Sequence, residues 1–170
     1  MENTQEKQTS GRVEGQYDRY VARFREVLES SQTKGREALE SAMVAARENL
    51  VALGEISAEQ GKLFGEYLKR DLAQTSKDME QLGEDARDHL HPSRLGAGAL
   101  AATAEALRLI GHSLLDLSHK TNESLTYHTG EITSAGTLTC LKCGAKVNLN
   151  KTSLIEACVA CSGTIYKKSY

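Results

Sequence analysis

Four cysteines carry the most distinctive chemistry of this 170-residue chain: Cys140-Leu-Lys-Cys143 and, after a spacer of fourteen residues, Cys158-Val-Ala-Cys161. Four thiolates complete a tetrahedral shell around Zn²⁺. Each Cys-x-x-Cys pair offers half of that shell from one tight turn, and the spacer is long enough for a hairpin that lays the second turn over the first. The spacing is close to that of paired zinc sites, whose spacer runs roughly 15–20 residues. Gly144 follows the first pair, while Ser162 and then Gly163 follow the second. Glycine after a cysteine pair can take positive φ and turn backbone N–H groups toward sulfur. The expectation is one structural Zn²⁺ held by Cys140, Cys143, Cys158 and Cys161, because a closed four-sulfur shell leaves no position open for catalysis. Two disulfides are the competing reading. The polar N-terminus, with no apolar signal segment, argues for a reducing compartment and against them. Iron also accepts a tetrahedral sulfur shell. A thioredoxin-type redox pair lacks the βαβ pattern it requires.

Short strand-like runs flank the two turns: Thr137-Leu-Thr139, Ala145 to Leu149, and Thr164-Ile-Tyr166. They predict a small sheet, a zinc ribbon over residues 129–170. So small a unit has little core of its own and draws its folding free energy from the metal. The helices before it are expected to fold without it.

Those helices follow from apolar periodicity. Residues 1–13 are polar and predict a disordered arm. From Glu14, Tyr17, Tyr20, Val21, Phe24, Val27 and Leu28 form one stripe, which resumes through Leu39, Met43, Ala46 and Leu50. The pattern predicts one long helix that bends near Gly35 and is capped by Gly54. Ser57-Ala-Glu-Gln60 is a capping box that starts a second helix. Its stripe runs through Phe64, Leu68, Leu72, Met79 and Leu82 toward Leu90, with charged outer faces such as Lys69-Arg-Asp71. Pro92, the only proline, ends it. A third helix is expected from about Ala99 to Tyr127. The predicted fold is mostly α with a small β module: an elongated antiparallel three-helix, coiled-coil-like region over 14–128, then a four-cysteine zinc ribbon.

Composition narrows the function classes. Hydrophobic residues make up 39% and aromatic residues 5%, which suits thin helix–helix seams better than a thick core. No run approaches membrane-spanning length. The net charge of −2 is unevenly spread. From Thr137 onward there are five lysines (Lys142, Lys146, Lys151, Lys167 and Lys168) against the single acid Glu156. This bias is mild compared with the basic stripe of a dedicated nucleic-acid binder. His112 and His119 have no acidic partner at ligand spacing and read as helix-surface or seam residues; His89 and His91 flank a helix end, where a cation near the C-terminal dipole is favourable; His128 is near the ribbon, but four cysteines already fill the shell. Nucleophile elbow, phosphate loop and His-Glu-x-x-His patterns do not occur.

The segment from Tyr127 to Cys140, with Gly130-Glu131 and Gly136-Thr-Leu-Thr-Cys140, together with the two knuckles and the basic Tyr166-Lys-Lys168, resembles the bacterial zinc-ribbon-containing proteins of the YbeL-like family. Tyr67-Leu-Lys-Arg-Asp-Leu72 is similar to that family's second helix. Where the family commonly carries proline in or beside the second knuckle, this chain has Val159-Ala160. The resemblance implies helices followed by a ribbon, and no established activity.

The functional expectation is a non-enzymatic, cytoplasmic zinc-binding protein that serves as an interaction scaffold. Its partner is another protein, and self-association is expected because a single layer of helices cannot cover all its apolar faces. The alternative is a nucleic-acid-associated factor that touches phosphates through the five ribbon lysines. Binding of this kind should be weak, since few aromatics interleave with the lysines.

Overall fold

A computed structural model describes residues 2–31, 35–82 and 125–169. Among the described residues there are three helices, α1 (Glu2–Ser30), α2 (Arg36–Ala52) and α3 (Ala58–Leu82). Six strands follow: β1 (Thr126–His128), β2 (Ile132–Thr133), β3 (Gly136–Cys140), β4 (Lys146–Leu149), β5 (Ser153–Leu154) and β6 (Ile165–Ser169). The chain is thus helical first, with a small β module carrying the cysteines at its end.

The long first helix of the sequence reading is two helices. Ser30-Ser-Gln-Thr33 are weak helix formers, and Gly35 takes φ 86°, so the chain breaks where a gentler bend was expected. Folding back lets the two halves of one apolar stripe bury each other. Tyr17, Tyr20 and Phe24 of α1 meet Leu39, Met43, Ala46 and Leu50 of α2, and Phe64, Leu68 and Leu72 of α3 complete the core. The Tyr20 hydroxyl donates to the Met43 carbonyl at 3.1 Å. Burial pushes the Tyr20 phenol up to about 12, with Arg47 pulling the other way. The rings of Tyr17 and Tyr20 lie edge-on to Phe64, with centroids 5.4 and 6.0 Å away.

The turn between α2 and α3 follows the sequence closely. Gly54 has φ 69°, with Gly54 N–H bonded to the Val51 carbonyl and Glu55 N–H to the Leu50 carbonyl, both at 3.0 Å. This is a Schellman cap. The capping box is reciprocal: Gln60 N–H reaches Ser57 Oγ at 3.1 Å, and Ser57 N–H reaches Gln60 Oε1 at 2.9 Å.

Two expectations at the ends of the helical region require correction. The arm over 1–13 is helical from Glu2, because Glu, Gln and Lys suit a solvated helix as well as a disordered segment. Val13 packs against the core. The third helix was expected to run to Tyr127, but Thr126–His128 is strand β1, paired antiparallel with β6. The ribbon therefore starts before residue 129. The rest of that expected helix lies outside the described residues, as does the part of the second beyond Leu82.

The main sheet has the order β1-β6-β3-β4, and β2 and β5 form a two-stranded sheet beside it. All described pairs are antiparallel. Side chains alternate: Tyr127, Leu138, Cys140 and Tyr166 point inward into a second core that also holds Ile155 and Cys158.

The ribbon docks on α3 through a polar seam. Ile132 of β2 belongs to the helical core. The Lys168 ammonium of β6, with 0% of its side chain exposed, lies 3.5 Å from the Asp71 carboxylate of α3. It donates to Thr133 Oγ1 at 2.8 Å and to the Ser134 carbonyl at 2.9 Å. Asp71 accepts from the Thr133 hydroxyl at 2.9 Å and from Ser134 N–H at 2.8 Å. Arg70 pairs with Glu131, donates to the Ile132 carbonyl at 3.2 Å, and stacks over Tyr127 with its guanidinium carbon 3.9 Å from the ring centroid. Arg70 and Asp71 were read as an outer charged face of the helix. They face the ribbon instead, because each finds a partner there that repays its burial.

Candidate metal centre

The two cysteine turns repeat one local structure. In the first, Cys140 N–H bonds to the Ala145 carbonyl at 2.8 Å and Gly144 N–H to the Cys140 carbonyl at 2.9 Å. In the second, Cys158 N–H bonds to the Gly163 carbonyl at 2.9 Å and Ser162 N–H to the Cys158 carbonyl at 2.7 Å. The match pairs Gly144 with Ser162 and Ala145 with Gly163. The residue after each pair takes positive φ, 76° at Gly144 and 54° at Ser162. Glycine meets that demand without strain, whereas serine meets it against its steric preference. Gly163 is there for space: a Cβ on it would lie 2.9 Å from Cys140 Sγ and 3.2 Å from Cys161 Sγ.

These turns bring all four sulfurs within 4.8 Å of one another. Cys140 and Cys161 sulfurs are 3.7 Å apart, and those of Cys143 and Cys158 are 3.6 Å apart. With Zn–S bonds of about 2.3 Å, sulfurs of a tetrahedral shell lie about 3.8 Å apart. A disulfide needs about 2.05 Å, and all four cysteines are free thiols. The donor set therefore fits a metal ion and does not fit the disulfide reading. Cys140 and Cys158 are buried, Cys161 is half-buried and Cys143 is exposed, which leaves the metal one solvent-facing side.

The electrostatics point the same way. Burial pushes the Cys140 thiol up, but N–H groups of Cys143 and Lys142 aimed at its sulfur, together with hydrogen bonds from the Cys161 and Cys143 thiols, bring it down to about 7. Cys161 is pushed up to about 12, first by the Cys143 thiol and then by burial. The first thiolate forms readily in the cluster, but further negative charge there needs a cation to balance it.

The ribbon lysines do not form one surface. Lys142 is exposed, and its ammonium donates to the Cys161 carbonyl at 3.3 Å. Lys146 and Lys167 are exposed on the sheet. Lys151 lies 3.7 Å from Glu14 of α1. Lys168 is buried against Asp71 and cannot touch a phosphate, which corrects its place in the phosphate-binding reading. Of the histidines, only His128 lies within the described residues. It is a strand residue beside Glu131, at 3.5 Å, and not a metal ligand. The seam of Arg70, Asp71, Glu131, Thr133, Ser134 and Lys168 had no sequence signal. Arg70 and Asp71 lie between the stripe positions Leu68 and Leu72, where charged residues are ordinary on an amphipathic helix.

A family model described as a zinc-ribbon containing domain matches residues 26–169, most of the chain. Neither a curated protein nor a solved structure matches it.

Proposed function

Because this chain belongs to the zinc-ribbon containing domain family, we propose that it is a non-enzymatic zinc-binding protein whose helices and ribbon form a platform for another protein. The sequence also resembles the YbeL-like proteins, which would make it bacterial, and a cytoplasmic setting belongs to the same proposal. Among the described residues no helix is long and apolar enough to cross a membrane. One Zn²⁺ per chain, bound by Cys140, Cys143, Cys158 and Cys161, holds the two knuckles together.

The observation that carries this reading is the sulfur tetrahedron. Four protein thiolates fill the shell, so a metal bound there organises the fold and leaves no ligand position for a substrate. The polar seam then fixes the ribbon rigidly to α3, as a platform requires. Self-association belongs to the same proposal.

The nucleic-acid reading keeps Lys142, Lys146 and Lys167. Each phosphate neutralised steepens the salt dependence by roughly 0.7–0.9 in log–log slope. Three lysines thus give weak, sequence-independent binding that disappears near physiological salt. The deciding experiment is an affinity pull-down from lysate with and without nuclease, beside a fluorescence-anisotropy titration with DNA and RNA. Proteins retained after nuclease support the platform. Submicromolar nucleic-acid binding at physiological salt, lost when Lys142 and Lys146 become glutamate, replaces it.

A further inference from the structure

The outer face of the main sheet is open to solvent. On it, strand register places Thr139 of β3 directly between Lys146 of β4 and Lys167 of β6. The two ammonium groups therefore rise from strands two positions apart, about 9–10 Å across the sheet. One step toward the knuckles the face becomes apolar. Leu141 N–H bonds to the Ile165 carbonyl at 3.0 Å, so the two residues are neighbours, and they are 52% and 41% exposed. Val159, in the matching position of the second knuckle, is 93% exposed. Lys142, which follows Leu141 in the first knuckle, is a third exposed cation at this end.

An antiparallel sheet is free to leave one face in water, and single exposed apolar residues need no explanation. This face has more than that. Nothing in knuckle geometry calls for an aliphatic side chain after the first cysteine, yet both knuckles carry one. A β-branched valine in a tight turn works against local preference. Among the described residues the charged side chains of this face are lysines, with His128 at its β1 edge: Glu131 and Glu156, the ribbon's acids, lie in connecting segments, and Glu131 is held by Arg70 and lies beside His128. Among the described residues no tyrosine stands on it, since Tyr127 and Tyr166 both point inward, and its one ring is His128 at the β1 edge beside Ile165. A single edge imidazole is a poor platform for successive stacked bases.

We infer that this face is a docking surface for an acidic protein segment bearing aliphatic side chains, with carboxylates on Lys146 and Lys167 and an aliphatic group against Leu141 and Ile165. Charge complementarity selects the partner, and the aliphatic contact anchors it. The inference rests on the platform reading and gives its partner a chemistry.

The test uses the full zinc-loaded chain and a labelled peptide of glutamate, leucine and serine. Control peptides replace every leucine by serine or every glutamate by glutamine, and a single-stranded oligonucleotide is run beside them. Two double variants probe the face: Lys146→Glu with Lys167→Glu, and Leu141→Ser with Ile165→Thr. All four positions are exposed, so zinc content and circular dichroism should not change. The acidic leucine peptide should bind in a salt-dependent way, and each double variant should weaken it about tenfold or more. Its amide shifts on the wild-type chain, read by NMR, should cluster on β3, β4 and β6 beside the first knuckle; this reading stands even if a variant misfolds. Binding insensitive to the variants, equal binding of the leucine-free peptide, shifts elsewhere, or tighter binding of the oligonucleotide overturns the inference. Crosslinking in lysate separates the two levels. Proteins captured equally by wild type and by the lysine variant keep the platform and remove this face from it. Capture of nucleic acid alone removes both.

Discussion

The four sulfurs of the knuckles gather negative charge that an external cation must balance, whereas the seam between α3 and the ribbon brings its own cation, Lys168, to Asp71. The knuckles are built from local turns, each repeating the same pair of backbone hydrogen bonds. The seam is built from residues about sixty positions or more apart: Arg70 and Asp71 meet Glu131, Thr133 and Ser134. The first region can be assembled by metal alone, and the second only when helices and ribbon are both in place. The difference shows how a ribbon with little core is made rigid relative to a helical partner: metal closes one end, and a buried polar network closes the other.

The largest effect tests the dependence of one region on the other. Replacing Cys158 by Ser should abolish stoichiometric zinc by elemental analysis, since structural sites of this kind are worth about 10–16 kcal/mol of binding. The ribbon amides should lose hydrogen-exchange protection. Sequence alone suggested that the helices would not notice. The seam gives a different expectation, because Ile132 fills the helical core and Asp71 would lose Lys168. Most helical circular dichroism should persist, but the melting midpoint of the helices should fall. An unchanged midpoint would show that the seam contributes nothing to them.

Next in size is the seam itself. Asp71→Ala leaves the Lys168 ammonium buried without its carboxylate and should destabilise the protein by about 3–5 kcal/mol. Asp71→Leu combined with Lys168→Met removes both charges and should recover most of that loss, because a buried pair can be exchanged for well-packed apolar groups at little cost. Urea denaturation of the three proteins measures this. Zinc content should be unaltered in all of them, which keeps the two regions distinct.

A smaller effect comes from pH. Burial brings Lys168 down to about 8 from 10.5, against the pull of Asp71. Between these values the unfolded chain holds a proton that the folded chain has released. Stability should therefore rise with pH through this window, and the full penalty of burying the charge should apply below it. Denaturation midpoints of wild type and Lys168→Met, compared from about pH 7 to pH 10.5, should show wild type gaining on the variant. A constant difference would mean that Lys168 titrates at its ordinary value.

These two regions also differ in how much of them a sequence reader can see. Thiol chemistry and spacing name Cys140, Cys143, Cys158 and Cys161, because few other arrangements use two Cys-x-x-Cys pairs. The Ser57–Gln60 cap and the Gly54 turn are legible for the same reason: each is a contact between near neighbours in the chain. Strands β3 and β4 lie where the knuckle-flanking runs placed them. Strands β1, β2 and β5 were missed, since two or three residues make no periodicity, and β1 finds its partner, β6, almost forty residues away. Asp71 was read as a solvated charge because nothing within a helical turn betrays a partner near residue 133. The break at Gly35 was half-legible. Weak helix formers marked the place, but the choice between a bend and a reversal depends on which apolar stripes find each other.

The smallest effect sharpens the match between the knuckles themselves. Gly144 and Ser162 hold the same left-handed turn, but only serine holds it with a Cβ. The left-handed region costs a non-glycine residue about 1 kcal/mol, so Ser162→Gly should strengthen the site, with the greater flexibility of glycine in the unfolded chain taking back part of the gain. The reverse change, Gly144→Ser, should weaken it by a similar amount, since nothing lies within 4 Å of a Cβ built there and only the backbone strain is added. Zinc competition with a chromophoric chelator reads both, as shifts of up to about fivefold in opposite directions. Gly163→Ala is the control for space as opposed to strain. Its Cβ would press on Cys140 Sγ at 2.9 Å, so it should weaken zinc binding more than Gly144→Ser does. Equal losses in those two variants would mean that the sulfur can shift freely, and that the second knuckle is held less tightly than its hydrogen bonds suggest.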